Sequence, residues 1–166
     1  HGEVIVDKLP LNSAHIGMLH RLFPGAKFIF AVRHPADAVL SCFMQDFRAN
    51  SAMNNFYSLE EGAHCYDVVM TLVHRYQQLL PLNIAYVPYE VLIEDVESTA
   101  GAVLDFIGVD WDDAVLAYRD HAVGSGRIGT PSYRQVTEPI YTRARYRWQQ
   151  YRHHMEHILD KLIPWA

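Results

Sequence analysis

Six residues, Lys27 to Val32, form an almost continuously apolar run that passes without a break into Arg33-His34-Pro35. No other stretch constrains the fold as tightly. The run is too short for a helix and does not alternate, which is the pattern of a strand buried on both faces of a parallel sheet. Pro35 sits where helices tolerate proline, in the first turn, and Ala36, Val39, Leu40, Phe43, Met44 and Phe47 recur at three-and-four spacing behind it. That spacing predicts an amphipathic helix leaving the strand at once. Parallel strands need long, usually helical crossovers, so the neighbouring sequence should alternate helix and strand.

It does. Upstream, Glu3 to Val6 reads as a first strand, and Asn12 as the cap of a helix carrying Ile16, Leu19, Leu22 and Phe23 that stops at Pro24-Gly25. Downstream, Ser58-Leu59-Glu60-Glu61 is a capping box opening a long helix through Ala63, Tyr66, Met70, Val73 and Leu80, ended by Pro81. A strand over Ile84 to Val87 follows, then a helix capped by Asp95 and terminated at Gly108, and a short helical stretch from Asp110-Trp111. Residues 120–141 are rich in Gly, Pro, Ser and Thr and read as a long surface loop. From Arg143, residues Trp148, Tyr151, Met155, Ile158, Leu159 and Leu162 predict a closing helix. The expectation is an α/β fold, a parallel sheet flanked by helices, with ligands gathered beyond the C-terminal strand ends.

Composition narrows the function classes. A chain of 166 residues, half of them hydrophobic, is one domain's worth and is not disordered. A net charge of −5 excludes a global basic footprint for nucleic acid. Cys42 and Cys65 make no disulfide framework and no zinc spacing. No apolar run is long enough for a membrane span, so a soluble, cytoplasmic protein is expected. The chain opens with His1 on what reads as a strand, so an upstream piece is expected to be missing, leaving exposed apolar surface and association of the fragment. Gly124 to Gly129 spells GxGxxG, but no strand precedes it and Pro131 follows, while Thr130 stands where a Walker lysine is required. His153 and His157 lie one turn apart without a third ligand, so no metal site is expected. Arg143, Arg145, Arg147 and Arg152 form a basic patch suited to a polyanionic ligand, an acidic acceptor or neighbouring carboxylates.

Chemistry concentrates at Arg33-His34-Pro35-Ala36-Asp37-Ala38-Val39-Leu40-Ser41. A strand-to-helix junction offers free N–H groups and a positive dipole end, arginine adds a planar fork for phosphate oxygens, and serine adds a directional donor. An anion site is one reading. The other is that Arg33 pairs with Asp37 across one turn and Ser41 is a polar residue on a helix face.

This stretch resembles the 3′-phosphate-binding motif of sulfotransferases that use 3′-phosphoadenosine-5′-phosphosulfate (PAPS), with Arg, Pro, Asp and Ser at matching spacing. Val6-Asp7-Lys8-Leu9-Pro10-Leu11-Asn12 and Phe23-Pro24-Gly25-Ala26-Lys27 resemble the bacterial and tyrosylprotein-sulfotransferase-like branch of that family. So do Val87-Pro88-Tyr89-Glu90, residues 130–136 and Arg147-Trp148. The resemblance implies the P-loop-kinase-like sulfotransferase fold, with residues 1–166 as a single domain, the C-terminal part of a sulfotransferase domain. It implies that Arg33 and Ser41 bind the 3′-phosphate, that Tyr89 sits near the adenine, and that Arg147 reaches the 5′ phosphosulfate. Lys8 and Ser132 would stabilise the transferring sulfonate. The acceptor would be a hydroxyl or amine of a small molecule, glycan or protein tyrosine, and the product 3′,5′-adenosine bisphosphate. Two departures stand out: the family's glycine-rich 5′-phosphosulfate loop and its general base have no counterpart in these residues, and Gln45 stands where some relatives carry a basic residue. The rival expectations are a non-catalytic nucleotide- or anion-binding module and a kinase-like phosphoryl transferase.

Overall fold

A computed structural model of the chain describes residues 4–117 and 142–166. Strand β1, Lys27–Val32, pairs in parallel with β2, Asn83–Pro88, in a register that sets Lys27 opposite Asn83 and Val32 opposite Pro88. The crossover between them is two helices, α2 (Pro35–Phe43) and α3 (Leu59–Leu79). Helix α1 (Ile16–Leu22) precedes β1. The single turn α4 (Tyr89–Leu92) leaves β2 directly, and α5 (Val96–Ile107) and α6 (Arg152–Leu162) follow. The fold is mixed α/β, a two-stranded parallel sheet flanked by helices.

Local chemistry accounts for where these elements start and stop. Pro35 opens α2 with its fixed φ and missing N–H. The Ser58 hydroxyl accepts the Glu61 N–H at 3.1 Å and opens α3, and Asp95 Oδ1 accepts the Ser98 N–H at 2.9 Å at the start of α5. Gly108 closes α5 at φ +81°, a left-handed position that favours glycine. The buried core is a helix junction: Ala36, Val39 and Leu40 of α2, Ala63 of α3, and Met155, Ile158 and Leu162 of α6. Close approach of α2 to α3 depends on Gly62, where a Cβ would stand 3.3 Å from Val39 Cγ1.

Several sequence expectations fail, each for a physical reason. Val4 to Val6 form no strand: they join no ladder, and Ile5 is 88% exposed. A β-branched run needs a neighbour to hydrogen-bond, and the sheet has two strands among the described residues. Asn12 caps nothing. Its amide instead donates to Asp7 Oδ2 at 2.8 Å, and a 3₁₀ turn, Pro10–His15, leads into α1. Helix α2 ends at Phe43, short of Phe47, whose ring packs against Phe56. The stretch after Asp110-Trp111 is only a 3₁₀ turn, Asp113–Val115, capped by Asp112. Strand β1 alternates in exposure, with Ile29 45% exposed, so its residues on one face are uncovered among the described residues despite the continuous apolar run. The closing helix is shorter than its pattern, because Arg147–Tyr151 is a 3₁₀ turn ahead of α6. The loop expected over 120–141 lies outside the described residues. No helix among the described residues is long and apolar enough to cross a membrane.

Candidate functional site

Because β1 runs directly into α2, Arg33 emerges at the C-terminal end of the sheet beside the first turn of a helix. The adjoining strand delivers its own end to the same place. The His34 N–H donates to Glu90 Oε1 at 2.9 Å, which ties the start of α2 to α4 and sets the Arg33 guanidinium 5.0 Å from the centre of the Tyr89 ring. Arg33 Nη2 donates to the Ala144 carbonyl and lies 3.6 Å from Asp37 Oδ2. Asp37 is 1% exposed, and its Oδ1 accepts the Trp148 N–H at 2.8 Å. Both ends of this carboxylate therefore face something, but among the described residues Oδ2 makes no hydrogen bond and neither does Arg33 Nε.

The segment before α6 docks on this junction. Trp148 stacks on His34 with ring centres 5.1 Å apart and planes at 15°, and Tyr146 meets the same imidazole edge-on. Tyr146 adopts φ 52°, a left-handed conformation rare for a residue with a side chain, and so turns the chain into the 3₁₀ segment. Arg145 pairs with Glu94, just beyond α4. The outcome is a cleft of about 500 Å³ whose lining includes Arg33, Ser41, Tyr89, Arg143 and Arg147. Three guanidinium groups, a hydroxyl and an aromatic ring around one cleft suit a ligand that carries anionic oxygens and a flat ring.

Neighbouring ionisable groups are held in their protonated forms. Burial, then the Cys65 thiol, pushes the Cys42 thiol up against the opposing pull of Arg33, so it is no activated nucleophile. Burial and the Glu90 carboxylate push the Tyr66 hydroxyl up to about 12. Among the described residues no group of His, Cys, Asp and Glu could hold a metal ion.

Four of the six expected site residues, Arg33, Ser41, Tyr89 and Arg147, line this one cleft. Lys8 does not: it lies exposed in the irregular segment before α1. Ser132 lies outside the described residues. The two readings of the Arg33 stretch prove compatible, since Arg33 both pairs with Asp37 and lines the cleft with Ser41. The i,i+4 spacing signalled the pairing of Arg33 with Asp37, but sequence reasoning missed the bond from the Trp148 N–H to Asp37 and the stacking of Trp148 on His34, which nothing local signals.

Fold and cleft together define an α/β protein with an arginine-lined cleft beyond the C-terminal end of a parallel sheet. Residues 1–113 match the sulfotransferase family, and the chain belongs to that family. It is similar to an uncharacterized protein of Aquifex aeolicus (strain VF5), 28% identical over 159 residues, which covers 95% of this chain. The chain spans 20% of that relative's length.

Proposed function

We propose that the cleft binds the 3′-phosphate of PAPS and that the chain is the C-terminal part of a domain moving a sulfonate to an acceptor hydroxyl or amine. The observation that carries this reading is the meeting of Arg33 and Ser41 at one cleft, with a buried Arg33 Nε that has no hydrogen-bond partner among the described residues. A donor of that kind fits the residues present. Arg33 and the Ser41 hydroxyl would hold the 3′-phosphate, the Tyr89 ring would flank the adenine, and Arg147 would reach toward the 5′ side, where it and Arg143 would balance the remaining anionic charge. When bound, the donor supplies the sulfonate and leaves as 3′,5′-adenosine bisphosphate. Fixed cations and hydroxyl donors lower the barrier by meeting the oxygens of the transferring group, the part the resemblance gives to Lys8 and Ser132, of which Lys8 stands off the cleft.

One observation favours a second reading. Lys8 stands exposed and off the cleft, as expected for a module that keeps the 3′-phosphate site without the transfer machinery. The acceptor class, a small molecule, glycan or protein tyrosine, follows from the resemblance alone.

Displacement of a fluorescent 3′,5′-adenosine bisphosphate analogue tests the binding claim. PAPS and unlabelled bisphosphate should displace it, while ATP and 5′-AMP should be at least about tenfold weaker, as loss of one charge-assisted phosphate contact requires. Equal displacement by ATP would instead support the phosphoryl-transfer rival. Sulfonate transfer from labelled PAPS by the chain would then separate an enzyme from a binding module.

A further inference from the structure

We propose that Asp37 is the positioning residue of this anion site, a buried carboxylate that orients Arg33 from one oxygen and, from the other, fixes the segment that brings Arg143 and Arg147 to the same cleft. The inference rests on the 3′-phosphate reading of the cleft. Asp37 is the one charged side chain in the buried core of the described residues, and its environment is unusual for a stabilising device. A carboxylate removed from water is costly, and a buried ion pair generally contributes no more stability than apolar residues of the same volume. A bidentate fork would use both oxygens and two guanidinium N–H groups. This pair stays open. Among the described residues Oδ2 stands 3.6 Å from Arg33 Nη2 and makes no hydrogen bond, Arg33 Nε makes none, and Nη2 donates to the Ala144 carbonyl.

The arrangement therefore holds the guanidinium by charge while leaving donor capacity in place. On its other side, Oδ1 takes the Trp148 N–H at 2.8 Å, in the turn that begins at Arg147. Arg33 reaches the same segment through Ala144, between Arg143 and Arg145. One carboxylate on α2 thus bridges β1's end and the segment before α6, which are the sources of the cationic residues of the cleft. A ligand phosphate then meets arginines already in position, and the ordering cost of long side chains falls outside the binding step.

The test titrates 3′,5′-adenosine bisphosphate and 5′-AMP into the chain and its Asp37→Asn, Arg33→Ala and double variants. Asparagine keeps the volume and an oxygen for Trp148 but removes the charge that holds Arg33. Asp37→Asn should weaken the bisphosphate about tenfold and 5′-AMP by less than about twofold. In the Arg33→Ala chain the same change should cost nothing further, because no guanidinium is left to orient. Unchanged bisphosphate affinity in Asp37→Asn, equal loss for both nucleotides, or equal loss in both backgrounds would overturn the proposal. A wild-type chain that does not prefer the bisphosphate over 5′-AMP would refute the 3′-phosphate reading itself, and this proposal with it. If Asp37→Asn does not fold, the wild-type Arg33 Nε–H resonance, assigned by its absence in Arg33→Ala, decides. An order parameter of about 0.8 without nucleotide supports the proposal, and one below about 0.6 overturns it.

Discussion

Arg33→Ala should do more than weaken a ligand: it should strand a buried charge. Asp37 is 1% exposed, and the nearest guanidinium nitrogen lies 3.6 Å from its Oδ2. At that separation, with an effective dielectric of about 20, the gross attraction is about 4–5 kcal/mol. Removing one partner of a buried pair costs about 3–5 kcal/mol, because the other charge stays buried and uncompensated. Two features put this case at the low end. The Trp148 N–H stays on Oδ1, and the Arg33 side chain is itself 22% exposed. The expected loss is therefore about 3 kcal/mol, read by urea unfolding as a lower midpoint with an unchanged slope. The informative comparison is the double variant. Adding Asp37→Asn removes the stranded charge and should restore about 2 kcal/mol, so two changes together cost less than one. An Arg33→Ala chain within about 0.5 kcal/mol of wild type, or losses that simply add, would refute the pairing.

Met155 is fully buried where α2, α3 and α6 meet, and Met155→Ala should cost about 2–5 kcal/mol in the same unfolding assay. Ser58→Ala removes the oxygen that accepts the Glu61 N–H and should cost about 1 kcal/mol, with α3 fraying first by amide exchange. Tyr66, pushed up to about 12 by burial and Glu90, should appear in an absorbance titration as a tyrosine ionising well above the usual value of about 10. Its folded pKa lies above the unfolded value, so its contribution to stability is complete below about pH 10 and is lost as pH rises toward 12. Tyr66→Phe should flatten that part of the stability profile, and an unchanged profile would contradict the assignment.

The junction was legible because its determinants are local. An apolar run, a proline at the first helical position and apolar residues at helical spacing specify β1 and α2 without reference to the rest of the chain. Caps were equally readable where a side chain bonds within its own turn, as at Ser58 and Asp95. Asn12 shows the limit: the same residue type bonded backward to Asp7, a competition that spacing cannot decide. Val4 to Val6 show another, since β propensity forms no strand without a neighbour. The residues of the cleft were recognisable one at a time. Their assembly was not, because Arg33 meets Ala144, and Asp37 meets Trp148, across 111 positions of sequence. Contacts of that range leave no periodic signal.

In the proposed function this cleft recognises a 3′-phosphate. Calorimetric titration of 3′,5′-adenosine bisphosphate beside 5′-AMP, into the wild-type chain and its Arg33→Ala and Ser41→Ala variants, tests it most directly. The bisphosphate should bind more tightly than 5′-AMP, with that preference lost in both variants. Equal affinity for the two nucleotides, or a preference that survives loss of Arg33 and of Ser41, would contradict it.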